Sequence, residues 1–87
     1  MYIAEVRISP TVLAKLAHKR PPVTEAEVRE ALVLTRLVRS GWDDDERGRR
    51  LLATGTTYDG RRLNAVLYPA DEDDGVWWLG TAMYQPT

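Results

Sequence analysis

Alternation of apolar and polar positions is clearest in two adjoining stretches, 51–58 and 61–68, which Asp59-Gly60 separates. A two-residue Asp-Gly link between alternating runs predicts a hairpin with a type I′ turn, because Asp and Gly tolerate the positive φ that both central residues need. The register then follows. Tyr58 faces Arg61, Thr56 faces Leu63, Thr54 faces Ala65 and Leu52 faces Leu67. One face of this hairpin is apolar through Leu52, Leu63, Ala65 and Leu67. The other mixes Leu51, Ala53, Val66 and Tyr68 with Thr57, Arg62 and Asn64. Residues 2–8 also alternate and read as a strand, with Tyr2, Ala4, Val6 and Ile8 on one side. Residues 76–84 form the last strand, with Trp77, Leu79, Thr81 and Met83 opposite Val76, Trp78, Gly80, Ala82 and Tyr84. Adjacent tryptophans on opposite faces predict an interior strand that buries bulk on both sides.

Helical spacing appears between the first strand and the hairpin. Ser9-Pro10 has the chemistry of an N-cap followed by a first helical residue that needs no N–H. Val12, Leu13, Leu16 and Ala17 form its apolar stripe, and Lys15, His18, Lys19 and Arg20 lie off it. Pro21-Pro22 ends this helix. Thr24-Glu25-Ala26-Glu27 is a capping box, flanked by a Val23/Val28 hydrophobic staple, and it starts a second helix that buries Val28, Ala31 and Leu32 and ends near Leu34. Positions 33–38 fit helix and strand equally well, and 37–42 reads as a short strand. Arg47 to Arg50 leads into the hairpin, Pro69 closes its second strand, and residues 85–87 form a loose tail. The order β-α-α-(β)-β-β-β predicts one α+β domain spanning residues 1–87, with two N-terminal helices packed on one face of a small, mainly antiparallel sheet.

Composition narrows the chemistry. A chain of 87 residues buries about 60–65% of its unfolded surface, enough for one modest core. It has no cysteine and one histidine, so thiolate metal sites and disulfides are excluded, and a zinc site would need carboxylates for most of its ligands. No apolar run approaches the ~20 residues of a membrane span, and the N-terminus lacks a signal-peptide layout, so the expected location is cytoplasmic with no membrane partner. The net charge of −1 conceals a segregation. Residues 43–46 and 71–74 hold eight of the thirteen acidic side chains, and the remaining 79 residues carry twelve Lys/Arg and five Asp/Glu, a net +7. The acidic runs read either as solvated loops or as screens around a basic, phosphate-binding surface.

No phosphate-binding loop, dinucleotide fingerprint or nucleophile triad is present, and no cofactor is implied. An imidazole can act as a general base near neutral pH, which makes His18 a candidate; the alternative use of His18 is to close a helix end. Arg61 and Arg62 point to opposite faces, and a guanidinium can clamp phosphate or stabilise a phosphorane-like charge. Both would equally serve to solubilise a hairpin. Arg62 is the stronger candidate, since it shares the mixed face with Asn64 and Thr57. Trp42, Trp77, Trp78 and the tyrosines can stack on bases or fill a core, and one of Trp77 and Trp78 is expected in the core.

Taken in order, the pieces resemble a known family. They are Leu13-Ala14-Lys15-Leu16-Ala17-His18-Lys19, the helix start from Val23 to Leu32, Gly55-Thr56-Thr57-Tyr58-Asp59-Gly60-Arg61-Arg62-Leu63, and the closing Thr81-Ala82 with Tyr84 and Pro86. Together they are similar to the small BrnT-like toxins of the RelE/ParE superfamily of bacterial type II toxin–antitoxin systems, over about Val12 to Pro86. The resemblance implies a RelE-like α+β fold and a cognate antitoxin bound over the active face in a toxin–antitoxin hetero-oligomer. It also implies metal-independent endoribonuclease activity on mRNA, on the ribosome or free, through attack of the ribose 2′-hydroxyl. The residues it suggests for catalysis are Arg62, Arg61, His18 and Tyr84, and for RNA binding Lys15, Lys19, Arg20 and Asn64. Two positions differ from the pattern. His18 precedes Lys19 instead of following it, and Met83 stands where an arginine is usual. The alternative expectation is therefore a non-catalytic partner-binding module on the same fold.

Overall fold

The helix starts form as local chemistry dictates. In the computed structural model, which describes residues 2–35, 37–46 and 48–86, Ser9 Oγ accepts from the Val12 N–H at 3.2 Å and Pro10 occupies the first helical position of α1 (Pro10–Ala17). Thr24 and Glu27 close a reciprocal capping box at the start of α2 (Glu25–Leu32), and both staple residues, Val23 and Val28, are buried. Helix α2 ends two residues before the expected Leu34, because the Val33 and Leu34 N–H groups both converge on the Arg29 carbonyl at 2.9 Å. The stripe of α1 is narrower than expected: Leu16 is fully buried, but Leu13 and Ala17 are exposed.

Five strands, β1 (Glu5–Arg7), β2 (Arg39–Asp45), β3 (Gly48–Thr56), β4 (Arg62–Asp71) and β5 (Val76–Tyr84), form one open sheet in the order β1-β5-β4-β3-β2. β1 runs parallel to β5 and the other pairings are antiparallel, so the sheet is mixed. Both helices pack on one face. The core there comprises Val6, Leu51, Ala53, Leu63, Ala65, Leu67, Trp77, Leu79 and Ala82 beneath Leu16, Val28, Ala31 and Leu32. Each fully buried leucine or valine of this set contributes about 1.5–3 kcal/mol. β1 is shorter than expected. The chain bends at Ala4, where the Ala4 and Glu5 N–H groups both donate to the Gly75 carbonyl, so Ile3 and Val6 are buried and Tyr2 is exposed. The expected lead-in at Arg47 and the last tail residue, Thr87, lie outside the described residues.

The central hairpin differs from expectation in register. The Thr57 N–H donates to the Arg61 carbonyl at 2.9 Å and the Gly60 N–H to the Thr57 carbonyl at 3.0 Å, which makes a three-residue loop of Tyr58, Asp59 and Gly60. Only Gly60 has a positive φ, 89°, so this is a turn followed by a glycine bulge and not type I′. Gly55 then faces Leu63, Ala53 faces Ala65 and Leu51 faces Leu67, one residue from the predicted pairing. A one-residue slip exchanges the faces of a strand. Leu51 and Ala53 therefore join the core, and Leu52 lies on the uncovered face. Two contacts select this register. The Asp59 carboxylate accepts from the Thr57 hydroxyl and from the Arg61 N–H, which holds the shorter turn's alternative open. And α2 crosses β3 at Gly55, where a Cβ would lie 1.8 Å from the Ala31 carbonyl oxygen.

β5 carries a second shift. Val66 faces Thr81, yet Leu67 faces Leu79, so Gly80 is bulged out and the parity changes. Trp77, Leu79, Ala82 and Tyr84 face the helices, while Trp78, Thr81 and Met83 lie on the open face. β5 is interior, as expected, and Trp77 is completely buried with its indole N–H on the Tyr2 carbonyl at 3.0 Å. Trp78 is 44% exposed, so the second face does not bury bulk. β4 continues through Pro69 to Asp71 instead of stopping there. The missing Pro69 N–H costs no ladder bond, because the β3 ladder ends at the Leu51/Leu67 pair. The first acidic run is likewise partly strand: Asp43 pairs across the sheet with Arg50, whose guanidinium nitrogens lie 2.8 and 2.9 Å from one carboxylate oxygen.

Gly55→Ala must displace backbone, and overpacking of this kind costs about 1–3 kcal/mol or more. Gly41→Ala, on β2 with nothing within 4 Å of its Cβ, should leave the melting temperature unchanged or slightly raised. Thermal unfolding of the two variants followed by circular dichroism checks the contrast. Equal melting temperatures would mean that α2 does not sit on Gly55.

Candidate functional site

Three segments meet at the hairpin end of the sheet: the β3–β4 turn, the chain after β5, and the link between α1 and α2. Each arrives there for a local reason. The turn is held by Asp59, the end of β5 by the Gln85 N–H donating to the Arg62 carbonyl at 2.9 Å, and the link by the Val23 N–H donating to the Leu16 carbonyl at 3.1 Å. The link contains a cis Arg20–Pro21 peptide.

Glu27 joins these segments. One carboxylate oxygen serves the capping box, accepting from the Thr24 N–H at 3.0 Å. The other accepts from the Arg61 guanidinium at 2.6 Å and from the Tyr84 hydroxyl. Arg61 also donates through Nε to Asp59 at 2.8 Å, and its guanidinium carbon stands 4.1 Å from the centre of the Tyr84 ring. The arrangement sets the protonation states. Burial pushes the Glu27 carboxyl up, but hydrogen bonds from Tyr84 and Thr24 and the charge of Arg61 outweigh it, and its pKa falls below the ordinary value. Burial, then the hydrogen bond to Glu27 and its charge, push the Tyr84 phenol well above its usual range. Tyr84 is thus a fixed hydrogen-bond donor at neutral pH and not a base. The hydrogen bond from Thr57, together with Arg61, lowers the Asp59 carboxyl despite slight desolvation.

Around this node lies a basic surface in three adjoining clefts. Arg20, Pro21, Gly60, Arg61, Arg62, Tyr84, Gln85 and Pro86 line a cleft of about 520 Å³. It shares Arg20 and Pro21 with a smaller cleft that also holds His18 and Lys19. On the other side it shares Arg62 and Gln85 with a third, lined by Arg39, Thr54 and Thr56. Among the described residues no carboxylate lines any of the three. Among the described residues, neither Arg20 nor Arg62 has a carboxylate partner, whereas Arg61 has two. Both acidic runs lie at the opposite end of the sheet, in β2 and in the β4–β5 turn.

The structure therefore brings Arg61, Arg62, Tyr84 and Arg20 to one cleft and puts His18 and Lys19 beside it. Arg61 and Arg62 do point to opposite faces. Asn64 does not line the cleft. It lies on the open face, where its side-chain oxygen accepts from Thr54 and from Gln85, each at 2.9 Å, and so it fixes Gln85 at the rim. Lys15 is exposed on α1 and lines none of the three clefts. Glu27, Asp59, Gln85 and Arg39 were not singled out by sequence. Glu27 carries a signal, the capping box, but that motif says nothing about its second oxygen. Among the described residues no group of three His, Asp or Glu side chains is placed to hold a metal ion, and no helix is long and apolar enough to cross a membrane.

These observations define a small α+β domain with two helices on an open, mixed five-stranded sheet and a basic cleft at one end. No protein-family profile, curated protein or solved structure matches the chain.

The lowered pKa of Glu27 makes stability depend on pH. Its contribution is present above the ordinary carboxylate value of 4.5 and is lost as pH falls through the lower folded value. Glu27→Gln keeps an acceptor for the capping box but loses the charge-assisted bonds. It should cost about 1–3 kcal/mol at neutral pH, and the difference from the wild type should shrink below pH 4.5. Urea unfolding of both proteins across pH 3–7 measures this. A gap that is constant with pH would show that the carboxylate charge contributes nothing.

Proposed function

We propose that this domain binds RNA along the Arg20–Arg62 surface and acts as the toxin of a type II toxin–antitoxin pair, a BrnT-like, metal-independent endoribonuclease with a RelE-like fold. The observation that carries the proposal is the row of three adjoining clefts, each lined by at least one arginine and, among the described residues, by no carboxylate. Phosphate contacts dominate RNA affinity, and unpaired guanidiniums supply them best. Arg20 and Arg62 hold the non-bridging oxygens of the scissile phosphate. His18 accepts the 2′-hydroxyl proton, the 2′-oxygen bonds to phosphorus as the bond to the 5′-oxygen breaks, and the leaving 5′-oxygen takes a proton from solvent, which gives a 2′,3′-cyclic phosphate and a 5′-hydroxyl. Tyr84 and Glu27 orient Arg61 at the edge of the cleft and do not react. The antitoxin covers this surface in the hetero-oligomer, and the site of action is cytoplasmic mRNA.

One observation favours a second reading. Glu27 and Asp59 already occupy the Arg61 guanidinium, and Met83, half-exposed on the open face, supplies no charge where the resemblance expects arginine. A non-catalytic module that holds an acidic segment of a partner would use the same cleft.

Binding of a single-stranded RNA oligomer, measured by fluorescence anisotropy at several salt concentrations, tests the first reading. The double variant Arg20→Ala/Arg62→Ala should reduce the slope of log affinity against log salt by about 1.4, roughly 0.7 for each lost phosphate contact. Growth arrest on expression without a partner should disappear in the double variant and in His18→Ala. Absence of arrest and cleavage, with an acidic peptide binding the cleft in place of RNA, would support the partner-binding module. An unchanged salt slope would remove the cleft from RNA binding.

A further inference from the structure

We infer that β2 is an interface for a second copy of this chain, pairing antiparallel with the same strand about Trp42 to extend the sheet from five strands to ten. β2 is the outer strand of the sheet, and its seven residues pair with β3 without a register shift. The bond from the Thr57 N–H to the Arg61 carbonyl sets the alternation of the whole sheet. From it, Thr54, Leu52 and Arg50 bond toward β2, and their partners Arg39, Gly41 and Asp43 bond inward. The N–H and C=O groups of Ser40, Trp42 and Asp44 therefore point away from the sheet. Among the described residues no backbone group meets them. An unpaired edge of this length is a template for another strand.

The sequence of the edge selects its occupant. A parallel, in-register copy would stack the three aspartates of positions 43–45 on their own images. Antiparallel pairing about Trp42 uses every residue of the strand and avoids this. Asp43 falls opposite Gly41, Asp44 opposite Ser40, and Arg39 opposite position 45, so no aspartate meets an aspartate. Arg39 has no carboxylate partner among the described residues within its own chain, so its charge is available across the pair. The two Trp42 side chains become direct cross-strand neighbours, a favourable pairing for aromatic rings. Each already rests against Trp77 at 5.6 Å between ring centres, and Arg49 stands 3.8 Å over it, so the indole is held in place before association. A two-fold axis through position 42 makes the contact isologous and closed. One strand edge is small by the standard of stable interfaces, so the association is a weak one.

Sedimentation equilibrium over a wide concentration range is the test, with three variants. Ser40→Pro removes an outward N–H that β3 does not use, so the monomer stays folded and dimerisation is lost. Ser40→Asp sets an aspartate against Asp44 twice and should weaken the dimer about tenfold. Ser40→Asp/Asp44→Ser exchanges the two positions, restores complementarity and should recover wild-type association. A wild-type protein that remains monomeric at high micromolar concentration overturns the proposal, as does a dimer that Ser40→Pro leaves intact or that the exchange fails to rescue. None of these variants touches the basic clefts.

Discussion

Helix α2 rests backbone to backbone on β3 at Gly55, and the geometry of the hairpin end follows from that contact. With the Ala31 carbonyl where a Cβ would stand, the helix sits as deep as a strand permits. At that depth Glu30 reaches the Tyr58 N–H at 3.1 Å, and Glu27, one turn earlier, reaches Arg61 and Tyr84. Lifting the helix by the width of a methyl group would separate all three. The contact also chooses the hairpin register, because only the pairing of Gly55 with Leu63 turns the side-chain-free position toward the helix. One glycine thus couples the packing of the core to the placement of the cleft.

The charges sort along the strands. At the far end, Asp43 is matched by Arg50 and Asp44 by Arg49 in the next strand, which lets an acidic run form a strand edge without repelling itself. At the hairpin end, the carboxylates that approach the basic surface, Glu27 and Asp59, bind the same arginine. What remains there is Arg20 and Arg62, which have no carboxylate partner among the described residues. A field of one sign over a concave surface concentrates oppositely charged ligands.

Local motifs were legible in the sequence and tertiary choices were not. The Ser9 cap, the Thr24–Glu27 box and the Val23/Val28 staple depend on residues within a few positions of each other, and all three form. The hairpin was visible, but its register depended on whether Asp59 would take a positive φ. Hydrogen bonds to Thr57 and Arg61 hold that carboxylate across the turn instead. The faces of β5 were misread for a related reason. Gly80 is bulged where the Tyr68 ring lies, 2.6 Å from where a Cβ would be, and strict alternation cannot show a residue that drops out of it. The cleft was partly legible. Arg61, Arg62, Tyr84 and Arg20 were marked from chemistry and resemblance, while Glu27, the more buried of the two carboxylates that restrain Arg61, comes from elsewhere in the chain.

That restraint separates the two adjacent arginines. They differ by one residue, and the pleat sends them to opposite faces. Arg61 meets a half-buried carboxylate, a second carboxylate in its own turn and an aromatic ring, so its charge is used in holding α2, the hairpin and the end of β5 together. Replacing it would loosen the fold as well as the cleft, so loss of activity on its removal would be ambiguous. Arg62 lies beside Gln85 and Arg20 lines the same cleft, and among the described residues neither has a carboxylate partner. A ligand that competes for Arg61 must displace Glu27 and Asp59, whereas one that engages Arg20 and Arg62 meets no ion pair among the described residues. The charge available to a ligand in the cleft therefore lies with Arg20 and Arg62 more than with Arg61.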